Sequence, residues 1–236
     1  MEMHRVRRKL ASMLAGEKIG WPETRADHWG PGGGKVFCIG RNKTGTTSLA
    51  KAFWDLGYVV GDQPTAELLC DQHYFERRFE PIVEYCKGAQ VFQDVPFSYP
   101  HLFVHLDQTF PGSKFILSVR DDAEQWYRSI TRFHGKLFGT DGAPPTADQL
   151  KKATYRRLGF AYNTVKVHGT TDEVPYDKGT MIDHYNAHNK AVQDYFRFRP
   201  ADLLVVNLAK TEDYARFIQF LGVVSPHSDF PKENIT

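Results

Sequence analysis

Residues 35–48 read Lys35-Val-Phe-Cys-Ile39 followed by Gly40-Arg-Asn-Lys-Thr-Gly-Thr-Thr-Ser48. The unbroken apolar run after Lys35 suits a strand buried on both faces, as in a parallel sheet. Gly40 to Gly45 interrupt it. A helical pattern then starts near Thr46 and continues to Leu56, with Leu49, Ala52, Phe53 and Leu56 on one face. Gly57 is a natural C-terminal stop for that helix.

A glycine-containing turn between a buried strand and a helix exposes backbone N–H groups at the helix N-terminus. Together with the helix dipole they make an anion site. Lys43 adds a full positive charge, and Thr44, Thr46 and Thr47 add hydroxyl donors. The spacing from Gly40 to Gly45 is the G-x-x-x-x-G of a Walker A loop. The lysine, however, stands two residues before the second glycine, and Thr46 occupies the position after it. That mismatch weighs against an ATPase or GTPase. The plain alternative is a tight strand–helix turn with a surface lysine, but strand, K-T-G-T-T and helix in combination favour phosphate binding.

Outward from this unit, 58–60 reads as a short strand and 67–87 as a helix broken near Pro81. Residues 91–94 form a third strand pattern ending at Val95-Pro96. The pattern of 114–119 is the clearest strand, introduced by Pro111-Gly112, with Arg120 at its C-terminal end. Asp122 can cap a helix through Trp126, Ile130 and Phe133. Residues 139–146 are loop, 147–167 and 180–198 helical, 203–206 strand and 212–221 helix; the tail from Val223 is irregular. Strands alternating with helices predict an α/β fold with a central parallel sheet flanked by helices. The expected organisation is an N-terminal extension over 1–34, helical or flexible, and a single domain over 35–236 with a helical insertion at about 139–200.

The composition of the 236 residues sets the partners. Apolar residues make up 41% and charged residues 25%, an ordinary globular mix that excludes wholesale disorder. A formal net charge of +2 offers no footprint for nucleic acid but leaves room for one basic pocket. No apolar run reaches the roughly 18 residues of a membrane span. Cys38, Cys70 and Cys86 are odd in number and widely spaced, which fits reduced thiols in the cytoplasm. Arg5, Arg7, Arg8 and Lys9 precede an apolar stretch too short for a secretory signal. A transit peptide or a short amphipathic surface helix fits that start, the helix being the plainer reading.

Lys43-Thr-Gly-Thr-Thr47 resembles the 5′-phosphosulfate loop of the sulfotransferases that use 3′-phosphoadenosine-5′-phosphosulfate (PAPS), written K-[ST]-G-[TS]-[TS]. Arg120 at a strand end, with Ser129 nine residues on, is similar to that family's 3′-phosphate motif; an arginine can fork two N–H groups onto a phosphate. The resemblance spans roughly 35–222 and is closest to the bacterial and related intracellular branch, in which the Asp-x-Pro of Asp94-Val-Pro96 and a tail like Phe230-Pro-Lys-Glu-Asn234 recur. It implies a P-loop-like three-layer fold, PAPS as donor with PAP as product, and no metal. The expected donor contacts are Arg41, Asn42, Lys43, Thr44, Gly45, Thr46, Thr47, Ser48, Arg120 and Ser129. Two departures stand out. Ser48 replaces the Trp that cytosolic steroid and phenol enzymes carry there, and their C-terminal Arg-Lys-Gly is absent, so Lys210, Lys232 or Arg41 has to complete the 3′-phosphate site.

Sulfuryl transfer builds negative charge on the oxygen between sulfur and the leaving phosphate, and a positioned cation stabilises that transition state. Lys43 is the candidate. Two unit charges 4 Å apart interact by about 4 kcal/mol at an effective dielectric near 20. Asp94 is the candidate base for the acceptor's proton. It ends a strand among Phe92, Val95 and Phe97, whose apolar surroundings raise a carboxyl pKa. The resemblance implies the same role, since this position matches the catalytic His of the cytosolic enzymes. The plain alternative is a helix cap or an ion-pair partner.

The pairs His101/His105 and His184/His188 have the spacing of metal ligands on one helix face, without the glutamate of H-E-x-x-H. Pocket-lining or surface roles are the commoner explanation. Phe97, His105, Tyr185 and His188 are the expected contacts to a small-molecule or glycan acceptor. Arg77-Arg78, Lys151-Lys152 and Arg156-Arg157 read as solvated faces, and 139–175, with Phe138, Tyr155, Phe160 and Tyr162, as an acceptor lid or extra core. Two other functions are open: a kinase using Mg-ATP, which requires a lysine after Gly45, and a non-catalytic nucleotide-binding relative, which requires loss of Lys43 or of the base.

Overall fold

The computed structural model describes residues 33–233, so all but the last two positions of the 1–34 extension, and Asn234 of the tail motif, lie outside the described residues. Four parallel strands, β1 (Val36–Cys38), β2 (Val91–Phe92), β3 (Lys114–Ser118) and β4 (Leu203–Val206), form one sheet in the order β2-β1-β3-β4. Phe37 pairs with Phe92 on one side and Phe115 on the other, and Ser118 pairs with Val206. The helices are α1 (Thr46–Asp55), α2 (Gln63–Leu69), α3 (Glu80–Cys86), α4 (Leu102–Thr109), α5 (Ala123–Phe138), α6 (Ala147–Lys152), α7 (Asn163–His168), α8 (Lys178–Phe196) and α9 (Thr211–Leu221).

Side chains alternate across a sheet with period two, and here both faces are buried. Phe37, Phe92, Phe115 and Leu117 turn one way, into a core with Phe103 and Leu106 of α4 and Val192 and Phe196 of α8. Val36, Cys38, Val91, Ile116, Leu204 and Val206 turn the other way, onto Leu49 and Phe53 of α1 and Phe217 and Leu221 of α9. The result is the three-layer α/β arrangement. The Phe37 ring lies 5.5 Å from each of the Phe92 and Phe115 rings; burying one such side chain stabilises the fold by roughly 2–3 kcal/mol. A third cluster joins Trp126 and Ile130 of α5 to Leu150, Val165, Met181 and Tyr185.

Several elements depart from the sequence reading. The 58–60 strand reduces to one bridge, Val60 to Val91. The 67–87 helix breaks before Pro81, at a π-turn over Cys70–Tyr74, and Pro81 sits in the first turn of α3, where its missing N–H costs nothing. The helix expected over 147–167 is three pieces: α6, a 3₁₀ turn over Phe160–Tyr162, and α7. Gly159, at φ 74°, turns the chain between them. Helix α4 was absent from the sequence reading. Asp122 caps α5 as expected, accepting from the Gln125 N–H at 2.6 Å.

From β1 the chain moves first to β2 on one side and later to β3 on the other. Ligands of open α/β sheets bind at the C-terminal strand edge where the order reverses in this way. That edge carries Gly40–Thr46 after β1, Asp94 after β2, Arg120 after β3 and Leu208 after β4. No helix among the described residues is long and apolar enough to cross a membrane.

Candidate active site

The loop after β1 is gripped through its carbonyl groups. His188 Nε2 donates to the Ile39 carbonyl at 2.8 Å, Thr44 Oγ1 to Arg41 at 2.6 Å, Trp126 Nε1 to Asn42 at 3.0 Å and Arg120 Nε to Lys43 at 2.7 Å. Four carbonyls are thereby satisfied by the scaffold. The first-turn amides of a helix have no acceptor within it, and α1 begins at Thr46. Two glycines make the path possible. A Cβ on Gly40 would lie 2.2 Å from Ser118 Oγ and 2.4 Å from the Ser118 carbonyl oxygen, so β1 and β3 approach too closely for a side chain. Gly45, at φ 98°, precedes the helix in left-handed backbone, and a Cβ there would lie 2.8 Å from Leu208 Cδ2.

A cavity of about 530 Å³ opens in front of this loop. Arg41, Asn42, Lys43, Gly45, Thr46, Thr47 and Ser48 line it, and so do Asp94 and Arg120. The Lys43 ammonium has no hydrogen-bond or ion-pair partner among the described residues and lies 3.7 Å from the Phe133 ring centroid, a cation–π contact. Burial lowers its pKa to about 8; Asp94 opposes that shift, and Arg120 and Lys136 add to it. Arg120 spends its Nε on the loop, and its terminal nitrogens have no partner among the described residues. Lys43 and Asp94 both adopt left-handed backbone, φ 68° and 60°, a costly conformation for residues with side chains, and one that concentrates at functional sites.

Asp94 Oδ2 accepts from Thr46 Oγ1 at 2.7 Å, and Oδ1 from the Val95 N–H at 2.9 Å. Burial raises its pKa, while Thr46, the Val95 amide, Lys43 and Arg41 each pull it down. Arg41 is buried. One terminal nitrogen donates to the Ser98 carbonyl, the other lies 3.1 Å from His168 Nε2, and burial draws its pKa down to about 10.

Other expected contacts stand behind the wall or away from it. Thr44 is buried, 2.6 Å from Ser118 Oγ, and supports the loop instead of facing the cavity. Ser129 does not line the cavity, and its buried Oγ has no partner among the described residues. None of the four proposed acceptor contacts reaches the cavity. Phe97 is core, packed on Phe92 and Phe37. His105 is exposed beside Phe79. Tyr185 stacks on Trp126 at 4.7 Å and accepts the Arg120 N–H at 3.0 Å, while His188 holds Ile39. The last two keep the loop and Arg120 in place.

Of the cations proposed to complete the phosphate site, Lys232 lines the cavity and Lys210 precedes α9 away from it. The tail is moored there because the Glu233 N–H donates to Ser48 Oγ at 3.0 Å and Phe230 packs on Tyr214 and Phe217. Ser48 thus spends its hydroxyl on the tail. Among the described residues no group of three or more His, Cys, Asp or Glu is placed to hold a metal ion. Arg156 is withdrawn from solvent, pairing with buried Glu67, whereas Arg157 is exposed and donates from Nη2 to Asp71 at 2.5 Å. Phe138, Tyr155 and Phe160 line the cavity, whereas Tyr162 turns to Asp172.

Sequence reading missed Glu67, His134, Asn163 and His168, all of which line the cavity. Burial pushes Glu67 up to about 7 in spite of Arg156. Burial, aided by Lys43, holds His134 down to about 3. No local motif marks these four; the one available signal was a polar residue inside an otherwise apolar helical pattern.

The parallel sheet, with a glycine-containing turn between β1 and α1 and Lys43 and Arg120 beside it at the C-terminal strand edge, defines a three-layer α/β protein. A family model described as a sulfotransferase domain matches residues 35–236, and the chain belongs to that family. Its chemistry is therefore sulfuryl transfer. No curated protein matches the chain.

Proposed function

We propose that this chain is a cytoplasmic enzyme that transfers a sulfuryl group from PAPS to a hydroxyl or amine of a small-molecule acceptor, releasing PAP. One observation carries the reading: a half-buried, unpaired lysine ammonium and a half-buried carboxylate share one cavity with the start of a helix. The residues suit the donor, since the loop amides, Lys43 and Thr46 fit a phosphosulfate, and Arg120 with Lys232 fits a 3′-phosphate.

When bound, PAPS supplies a sulfuryl group on a phosphate leaving group. Asp94 accepts the proton of the acceptor as the acceptor's oxygen or nitrogen bonds to sulfur. Lys43 neutralises the charge that gathers on the bridging oxygen as the bond from sulfur to that oxygen breaks. Thr46 orients the Asp94 carboxylate through its 2.7 Å hydrogen bond. The scaffolded carbonyls keep the loop from reorganising during the step, which is where preorganised electrostatics gain their effect.

Thermal denaturation without metal tests the donor. A ligand at 100 times its dissociation constant adds about 2.7 kcal/mol of stability. PAP is expected to raise the melting temperature; stabilisation by Mg-ATP alone would instead make the chain a kinase.

A further inference from the structure

We infer that Phe133 is a positioning residue, a ring that holds the Lys43 ammonium beside the loop after β1 without neutralising it. This rests on the role proposed for Lys43 and names the part of the fold that keeps that side chain in place. The Lys43 nitrogen lies 3.7 Å from the Phe133 ring centroid, and both residues line the cavity.

A lysine ammonium is a compact charge on a flexible stem, with no rigid fork to orient it. Asp94 shares the cavity, but its oxygens accept from Thr46 and the Val95 amide, and it makes no ion pair with Lys43 among the described residues. Arg120 and Lys136 disfavour the ammonium charge, and His134, next to Phe133, is held neutral by burial. The Phe133 ring is therefore the one close contact among the described residues that favours the charged ammonium. An aromatic face attracts a cation through its quadrupole and carries no net charge. The cavity thus keeps the whole positive charge for a phosphosulfate, and the three N–H donors of the lysine are not given up to a fixed acceptor.

Helix α5 sets the ring there. Its Trp126 stacks on Tyr185 at 4.7 Å and donates Nε1 to the Asn42 carbonyl at 3.0 Å. Phe133 follows seven residues later, two turns along the same helix face. One face of α5 thus meets two consecutive loop residues, Asn42 through Trp126 and Lys43 through Phe133. A side chain carried on a packed helix is held more precisely than one carried on a loop.

NMR of the ligand-free protein carrying ¹³C-labelled lysine tests the contact without an acceptor. The Lys43 signals are those missing from Lys43→Arg. A ring current moves protons above the ring face upfield, so the Lys43 ε-protons should shift downfield in Phe133→Leu. Loss of the cation–π contact should also lower the Lys43 pKa by roughly half a unit, and Phe133→Tyr should restore both readings. Phe133→Met, which also lacks an aromatic face, serves if Phe133→Leu does not fold. Calorimetry with PAP then tests the positioning role. Phe133→Leu should weaken PAP roughly twofold to fivefold while Lys43 is present and change nothing in Lys43→Ala. Lys43 signals indifferent to Phe133, PAP affinity indifferent to Phe133, or equal weakening in both backgrounds would overturn the inference. Failure of the wild-type protein to bind PAP would overturn the donor reading and the positioning role with it; PAP binding that ignores Phe133 would overturn only the latter.

Discussion

Thr46, the first residue of α1, donates its hydroxyl hydrogen to Asp94 at 2.7 Å, tying the turn after β1 to the carboxylate that follows β2. The proposed donor site and the proposed base are thus joined by one hydrogen bond. Asp94→Asn should lower kcat by roughly 10²–10⁴-fold and leave the stabilisation by PAP in place, as thermal denaturation will read. Thr46→Val removes a hydrogen bond that favours the charged form. The Asp94 pKa should therefore rise further, moving the acid limb of the kcat/KM profile up by roughly one unit. An unchanged rate in Asp94→Asn would remove it as the base.

The role proposed for Lys43 requires its charged form. With its pKa lowered by burial to about 8, kcat/KM, which reports the free enzyme, should fall as the pH rises through 8. Lys43→Ala should reduce kcat by roughly 10²–10³-fold. In Lys43→Arg any residual activity should lose that alkaline limb, because guanidinium stays protonated. A stopped assay with labelled donor across pH 6–10 separates these outcomes.

Acid should unfold this protein early. His134, His184 and His188 are held neutral by burial, each with a pKa near 3, and His168 is likewise well below its ordinary value. The unfolded chain binds protons at these side chains from about pH 6.5 downwards, while the folded protein does not until near pH 3. Stability is therefore complete above 6.5 and lost as the pH falls towards 3. The urea midpoint should drop between pH 7.5 and pH 5.5; equal midpoints would show that the histidines are accessible.

Gly40→Ala tests the close approach of β1 and β3. Its methyl group would meet the Ser118 backbone, which cannot rotate away. Overpacking of this kind costs roughly 1–3 kcal/mol, or a loss of several degrees in Tm for a chain of this size. Loss of PAP binding should accompany it, since the same residue sets the exit of the loop.

The sequence by itself determined the parallel α/β class, the glycine-containing turn between the first strand and its helix, and the placing of Lys43, Asp94 and Arg120 after strands at one sheet edge. Those features live in consecutive residues: an apolar run, two glycines with a lysine between them, a helical periodicity. The tertiary structure decided which polar residues face the cavity. Four-residue histidine spacing looks the same whether a ring binds ligand or, like His188, props up the Ile39 carbonyl. Glu67, His134, Asn163 and His168 come from helices far apart in the chain and meet only because α2, α5 and α7 fold over one sheet edge. Burial, and with it the charge state of each group, is set by the segments packed against it, so no local pattern could reveal it.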